Sequence, residues 1–83
     1  MENILEISKK IKELKTDKEI YNFLLEILTE SEVATLSKRW RILKMLKEGR
    51  TQRDISKELQ VSLCKVTRGA KILKQKNSVI ANL

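Results

Sequence analysis

The stretch that most constrains this chain is residues 51–74, TQRDISKELQVSLCKVTRGAKILK, which holds two helix starts close together. Thr51 is a good N-cap, and Asp54, three residues on, can answer it in a box-like arrangement while its charge suits the positive end of the helix dipole. Ile55 and Leu59 then fall four apart on one face, with Gln52, Arg53, Ser56, Lys57 and Gln60 projecting elsewhere. Such a helix is short, amphipathic and packed on one side only. Ser62 is a second N-cap, and Leu63, Val66, Ala70 and Leu73 follow at spacings of three, four and three as the buried stripe of a second helix. The other face of that helix carries Cys64, Lys65, Thr67, Arg68 and Lys71. Two short helices joined by a tight turn, the second with a basic outer face and a free N-terminus, form a helix-turn-helix suited to the major groove of DNA. The turn departs from the usual pattern in one respect. Gln60 stands where such motifs generally place Gly, which adopts the left-handed conformation more cheaply.

The rest of the composition agrees with helices. There is no Pro, the only glycines are Gly49 and Gly69, and Tyr21, Phe23 and Trp40 are the three aromatics, which argues against a sheet and for an all-α chain of five to six helices. A chain of 83 residues makes one small domain with a modest core, so self-association is a natural way to complete it. The formal charge of +7 is unevenly placed: Lys38 to Lys74 hold twelve Lys or Arg against Glu48, Asp54 and Glu58, a local +9, whereas residues 1–37 carry five Lys against eight acids, −3. Phosphate neutralisation and steering require such a concentration of basic charge on the segment that meets DNA. Cys64 is alone, so no disulfide framework or cysteine metal site is expected, and a reducing cytoplasm suits it. No apolar leader or membrane-length run is visible, and a cytoplasmic protein without membrane contact is expected.

Toward the N-terminus, Ile4, Ile7, Ile11 and Leu14 form a seam at three, four and three within residues 2–15. Thr16 and Asp17 mark the next cap. The helix that follows, Ile20 to Leu28, is apolar nearly all the way round and is expected to be buried on several sides, more than one chain of this size can supply. An obligate, interlocked homodimer is therefore expected, with paired reading heads on two half-sites. Thr29 or Ser31 caps a third helix through Val33, Leu36, Trp40, Leu43 and Leu46 to Gly49, which suits a C-terminal cap. Residues 1–49 are thus read as dimerisation helices, 51–74 as the helix-turn-helix and 75–83 as a tail, the tail either a short helix on a partner or frayed.

The run Leu28-Thr29, the helix LSKRWRILKMLKEG, then Thr51-Gln52-Arg53 and Val66-Thr67-Arg68-Gly69 with Leu73-Lys74 resemble the Trp repressor family over about residues 20–74. The Thr-Arg-Gly triplet is the most specific part. The pair Arg39 and Trp40 and the brief Gly49-Arg50-Thr51 link are more similar to less characterised relatives, because the tryptophan-responsive form has one more residue in that link. The resemblance implies an all-helical, intertwined homodimer that represses transcription, with L-tryptophan as co-repressor setting the separation of the reading heads. It further implies that Arg41 and Arg68 sandwich the indole, a geometry in which planar cations stack on an aromatic face. Gly69 would leave room for the ring, and the backbone at Leu28 and Thr29 of the other protomer would accept hydrogen bonds from the ligand ammonium. Two positions depart from the pattern: Ile72 stands where the family keeps a Ser near the ligand's polar end, and Glu26 at a position that is apolar in the tryptophan-responsive form. An unpaired polar end costs about 1–3 kcal/mol, enough to weaken binding roughly tenfold or more. For operator DNA, the matching positions are Gln52, Arg53, Leu63, Cys64, Lys65, Thr67 and Lys74. Gln52 and Arg53 suit phosphate, Leu63 to Thr67 suit base edges, and Lys65 and Thr67 are expected to affect sequence choice.

Catalysis is disfavoured, because the chain has no His to serve a nucleophile, no Gly-rich phosphate loop and no metal spacing, and Glu30 and Glu32 suit the first turn of a helix. A protein-interaction module would leave the localised +9 without a purpose. Loss of salt-sensitive DNA binding would revive that alternative; within DNA binding, the choice is between a regulator gated by L-tryptophan or a related aromatic ligand and one that binds without an effector.

Overall fold

The computed structural model describes all 83 residues and contains only helices. Five α-helices run in order, α1 (Glu2–Glu13), α2 (Asp17–Ile27), α3 (Glu30–Lys47), α4 (Gln52–Leu59) and α5 (Leu63–Lys74), followed by a 3-10 turn at Ile80–Asn82. The all-α expectation and its helix count stand.

Local side-chain chemistry sets most of these boundaries. Thr16 and Glu19 form a full capping box at the start of α2, the Thr16 hydroxyl accepting the Glu19 N–H at 3.1 Å and the Glu19 carboxylate accepting the Thr16 N–H at 3.2 Å. Thr29, rather than Ser31, does the same for α3, accepting the Glu32 N–H at 3.2 Å while its own N–H donates to the Glu32 carboxylate at 2.8 Å. Gly49, at φ +88°, ends α3 in a Schellman arrangement: its N–H reaches the Leu46 carbonyl at 3.0 Å and the Arg50 N–H reaches the Met45 carbonyl at 3.1 Å.

The chain divides into two compact units, Met1–Ala34 and Thr35–Leu83. In the first, no residue is buried. On α2, Tyr21, Leu25 and Ile27 are 62%, 45% and 50% exposed, and on α1 Ile4 and Leu5 are likewise open. Ile7, Ile11, Leu14, Ile20, Phe23, Leu24 and Leu28 reach only partial burial. Helices of this length are marginal in water unless an apolar face is covered.

The second unit holds the core. Ile42 and Met45 of α3, Ile55 and Leu59 of α4, and Val66 of α5 form one buried cluster, with Leu46 and Val61 packed against it. Ile55 and Val66 are fully buried. Gly69, on the same face of α5 as Val66, brings that helix close to α3: a Cβ there would stand 3.2 Å from both Ile42 Cγ2 and Leu46 Cδ1. The α5 stripe needs one correction. Leu63, which the spacing places on the buried face, is 47% exposed, and Val66 and Gly69 with half-buried Ala70, Ile72 and Leu73 make up the face instead. Helical side chains lean toward the N-terminus, so at the first position of α5 Leu63 projects beyond the helix end and finds no turn to pack on.

The tail also takes a definite form. Ser78 is buried, its hydroxyl accepts the Ala81 N–H at 3.1 Å, and the Asn82 side chain donates to the Ser78 carbonyl at 3.0 Å. The Lys47 ammonium at the end of α3 donates to the Ile80 carbonyl at 3.2 Å and to the Leu83 carbonyl, and the 3-10 turn packs on α5 of the same chain.

Candidate nucleic-acid interface

The pair α4–α5 is joined by the three residues Gln60, Val61 and Ser62. Thr51 caps α4 by accepting the Asp54 N–H at 3.1 Å, and Ser62 caps α5 by accepting the Lys65 N–H at 3.4 Å. Gln60 takes the left-handed conformation, φ 54° and ψ 47°, that the sequence position demands of a residue less suited to it than Gly. Ser56 holds the turn closed from beneath: its carbonyl accepts the Val61 N–H at 3.1 Å and its hydroxyl donates to the Val61 carbonyl at 2.6 Å.

This turn sets α5 with its first residues outward. Leu63, Cys64 and Lys65 are all exposed, and so are Arg68, Lys71 and Lys74 further along the helix. On α4, Arg53 is exposed at the first turn, while Gln52 is half-buried. Gln52 and Thr67 meet across the two helices, the Thr67 hydroxyl donating to the Gln52 side-chain oxygen at 2.8 Å. The exposed first turn of α5 and the first turn of α4 carry every DNA-contact candidate except Thr67 and Lys74, which lie deeper along α5.

The residues that the resemblance assigns to a ligand are differently engaged. Arg41 lies 3.8 Å from the Glu58 carboxylate, whose other oxygen accepts from the Arg50 guanidinium at 2.7 Å. That hydrogen bond, with the Glu58 charge, raises the Arg50 pKa above its usual value. Arg68 is exposed, Ile72 is half-buried, and Gly69 is packed against α3. Thr29 spends its hydroxyl on the α3 cap and its carbonyl on the Val33 N–H at 2.9 Å, and Leu28 is half-buried at the end of α2. The pairing of Glu58 with Arg41 and Arg50, and the contacts of Lys47, escaped the sequence reading. The scarcity of acids in a strongly basic segment is the signal that could have found Glu58, one of only three between Lys38 and Lys74.

A tight-turned helix pair with a capped, outward second helix and a surrounding excess of Lys and Arg defines a helix-turn-helix DNA-binding protein. The family model described as Trp repressor protein matches residues 2–82, nearly the whole chain. The chain belongs to the Trp repressor family and is a DNA-binding helix-turn-helix transcriptional regulator. No match was found among curated proteins or among solved structures. No helix is long and apolar enough to cross a membrane.

Proposed function

We propose that the protein is a homodimeric, sequence-specific repressor that binds double-stranded operator DNA through α4 and α5. The observation that carries this reading is the coincidence of the local +9 charge with the exposed first turn of α5. Arg53 and Lys74 serve phosphates and thereby affinity, while Leu63, Cys64 and Lys65 reach base edges. The dimer rests on the N-terminal unit, in which no residue is buried by the single chain. A second copy is the partner that the family suggests for it.

In the gated form of this reading, L-tryptophan or a related aromatic acid lies between Arg41 and Arg68, beside Gly69 and Ile72 and against Leu28 and Thr29 of a second copy. One observation favours an effector-independent regulator instead. Glu58 gives Arg41 an ion-pair partner within its own chain, and Gly69 seats α5 directly on α3.

The test is equilibrium binding to a duplex selected from a random pool and to a mixed-sequence duplex, over a range of salt, with and without L-tryptophan. Binding should weaken steeply with salt and favour the selected duplex, and Arg53→Ala should lower affinity for both and flatten the salt slope by about one unit. Salt-insensitive or absent binding removes the function. Equal affinity with and without L-tryptophan, and with indole acids in its place, removes the gate and leaves the effector-independent regulator.

A further inference from the structure

Thr67 sits midway along α5, yet its hydroxyl crosses to another helix. In mid-helix a threonine hydroxyl ordinarily faces water or bonds back to the carbonyl four residues earlier. Here it donates to the side-chain oxygen of Gln52, fifteen residues away, at 2.8 Å, and both residues are half-buried. A hydroxyl has one proton, so this bond leaves Thr67 nothing to donate to a base or a phosphate.

The consequence for Gln52 is one of orientation. The amide carries its oxygen and its nitrogen on opposite arms of the same plane, and turning the oxygen toward Thr67 turns the nitrogen, with two N–H donors, away from it. A glutamine that reads adenine uses donor and acceptor together. One whose acceptor is engaged presents donors only, and a DNA phosphate, which only accepts, is the matching partner. Gln52 is also the first residue of α4, next to exposed Arg53, where phosphate contacts are favoured by charge as well.

We propose that Gln52 and Thr67 act as one unit in DNA binding: Thr67 is a positioning residue that turns the Gln52 amide nitrogen outward to donate to a single phosphate, and it reads no base itself. This rests on the DNA-binding reading above and revises the sequence expectation that Thr67 affects sequence choice.

A double-variant cycle on the selected and the mixed-sequence duplex tests it. Thr67→Val removes the hydroxyl at nearly constant shape, and Gln52→Ala removes the donor. Each should weaken both duplexes by the same factor, roughly three- to tenfold, and the double variant should bind no worse than Gln52→Ala alone. Thr67→Ser should restore wild-type affinity. A set of selected duplexes, each with one methylphosphonate, supplies a readout that a merely bracing bond would not move. One substituted phosphate should weaken the wild type and leave Gln52→Ala and Thr67→Val unaffected. Additive losses in the double variant, a changed base preference in Thr67→Val, or equal sensitivity of wild type and variants at every phosphate each overturn the proposal while leaving DNA binding intact. A wild type that binds neither duplex instead overturns the DNA-binding reading on which it stands. Should Thr67→Val fail to fold, Thr67→Ser and the methylphosphonate comparison on Gln52→Ala still decide the matter.

Discussion

At Gln60 a single residue holds a left-handed backbone for which its side chain is poorly suited. The left-handed conformation costs a non-glycine residue about 1–2 kcal/mol, and glycine loses part of that advantage, about 0.5–1 kcal/mol, through its larger chain entropy. Gln60→Gly is therefore expected to stabilise the protein by about 0.5 kcal/mol, seen as a rise in Tm of roughly 2–4 °C at fixed protein concentration. A fall in Tm would mean that the Gln60 side chain contributes something that its exposed position does not reveal. The hydrogen bonds from Ser56 explain why the turn closes without glycine, since they act on the residue that follows and leave Gln60 little freedom to relax.

Among the elements, the 3-10 turn at Ile80–Asn82 depends most on a single side chain. Lys47 ties its carbonyls to the end of α3, and neither Val79 nor Leu83 adds much packing, both being largely exposed. Lys47→Ala should release the turn, raising amide exchange across residues 78–83 while costing the α3–α5 core about 1 kcal/mol or less. Exchange unchanged from wild type would assign the turn to Ser78 and Asn82 alone. The contrast with the helix caps shows what was legible in the sequence. Thr16, Thr29, Thr51, Ser62 and Gly49 act on residues three to five away, so spacing locates these caps, leaving only Thr29 or Ser31 open at the start of α3. The Thr67 to Gln52 bond, the Glu58 pairs and the Lys47 contacts join residues eight to thirty-six apart, and they exist only once the helices have crossed at a particular angle. Leu63 was misplaced for a related reason. Periodicity assigns a face but does not say that the first residue of a helix leans past its end, where no turn lies beneath it.

For the whole molecule, the decisive fact is that no residue of 1–34 is more than partly buried. Sedimentation at micromolar protein should give about twice the mass of the 9.7 kDa chain, and Leu25→Lys with Ile27→Lys should shift it toward one chain while the α3–α5 core stays folded. A wild type that sediments as one chain would remove the two-headed DNA model.

The core itself is drawn from three consecutive helices, with Ile42 and Val66 at its limits. Its contacts close over short stretches of chain, the arrangement in which folding is fast because little loop entropy is lost before contacts form. Nothing of the kind exists for α1 and α2, whose cover, in the homodimer proposed above, comes from an encounter between molecules. A newly made chain would thus own a finished DNA-reading half well before its other half met a partner, and the time between the two would lengthen as the protein became scarcer in the cell.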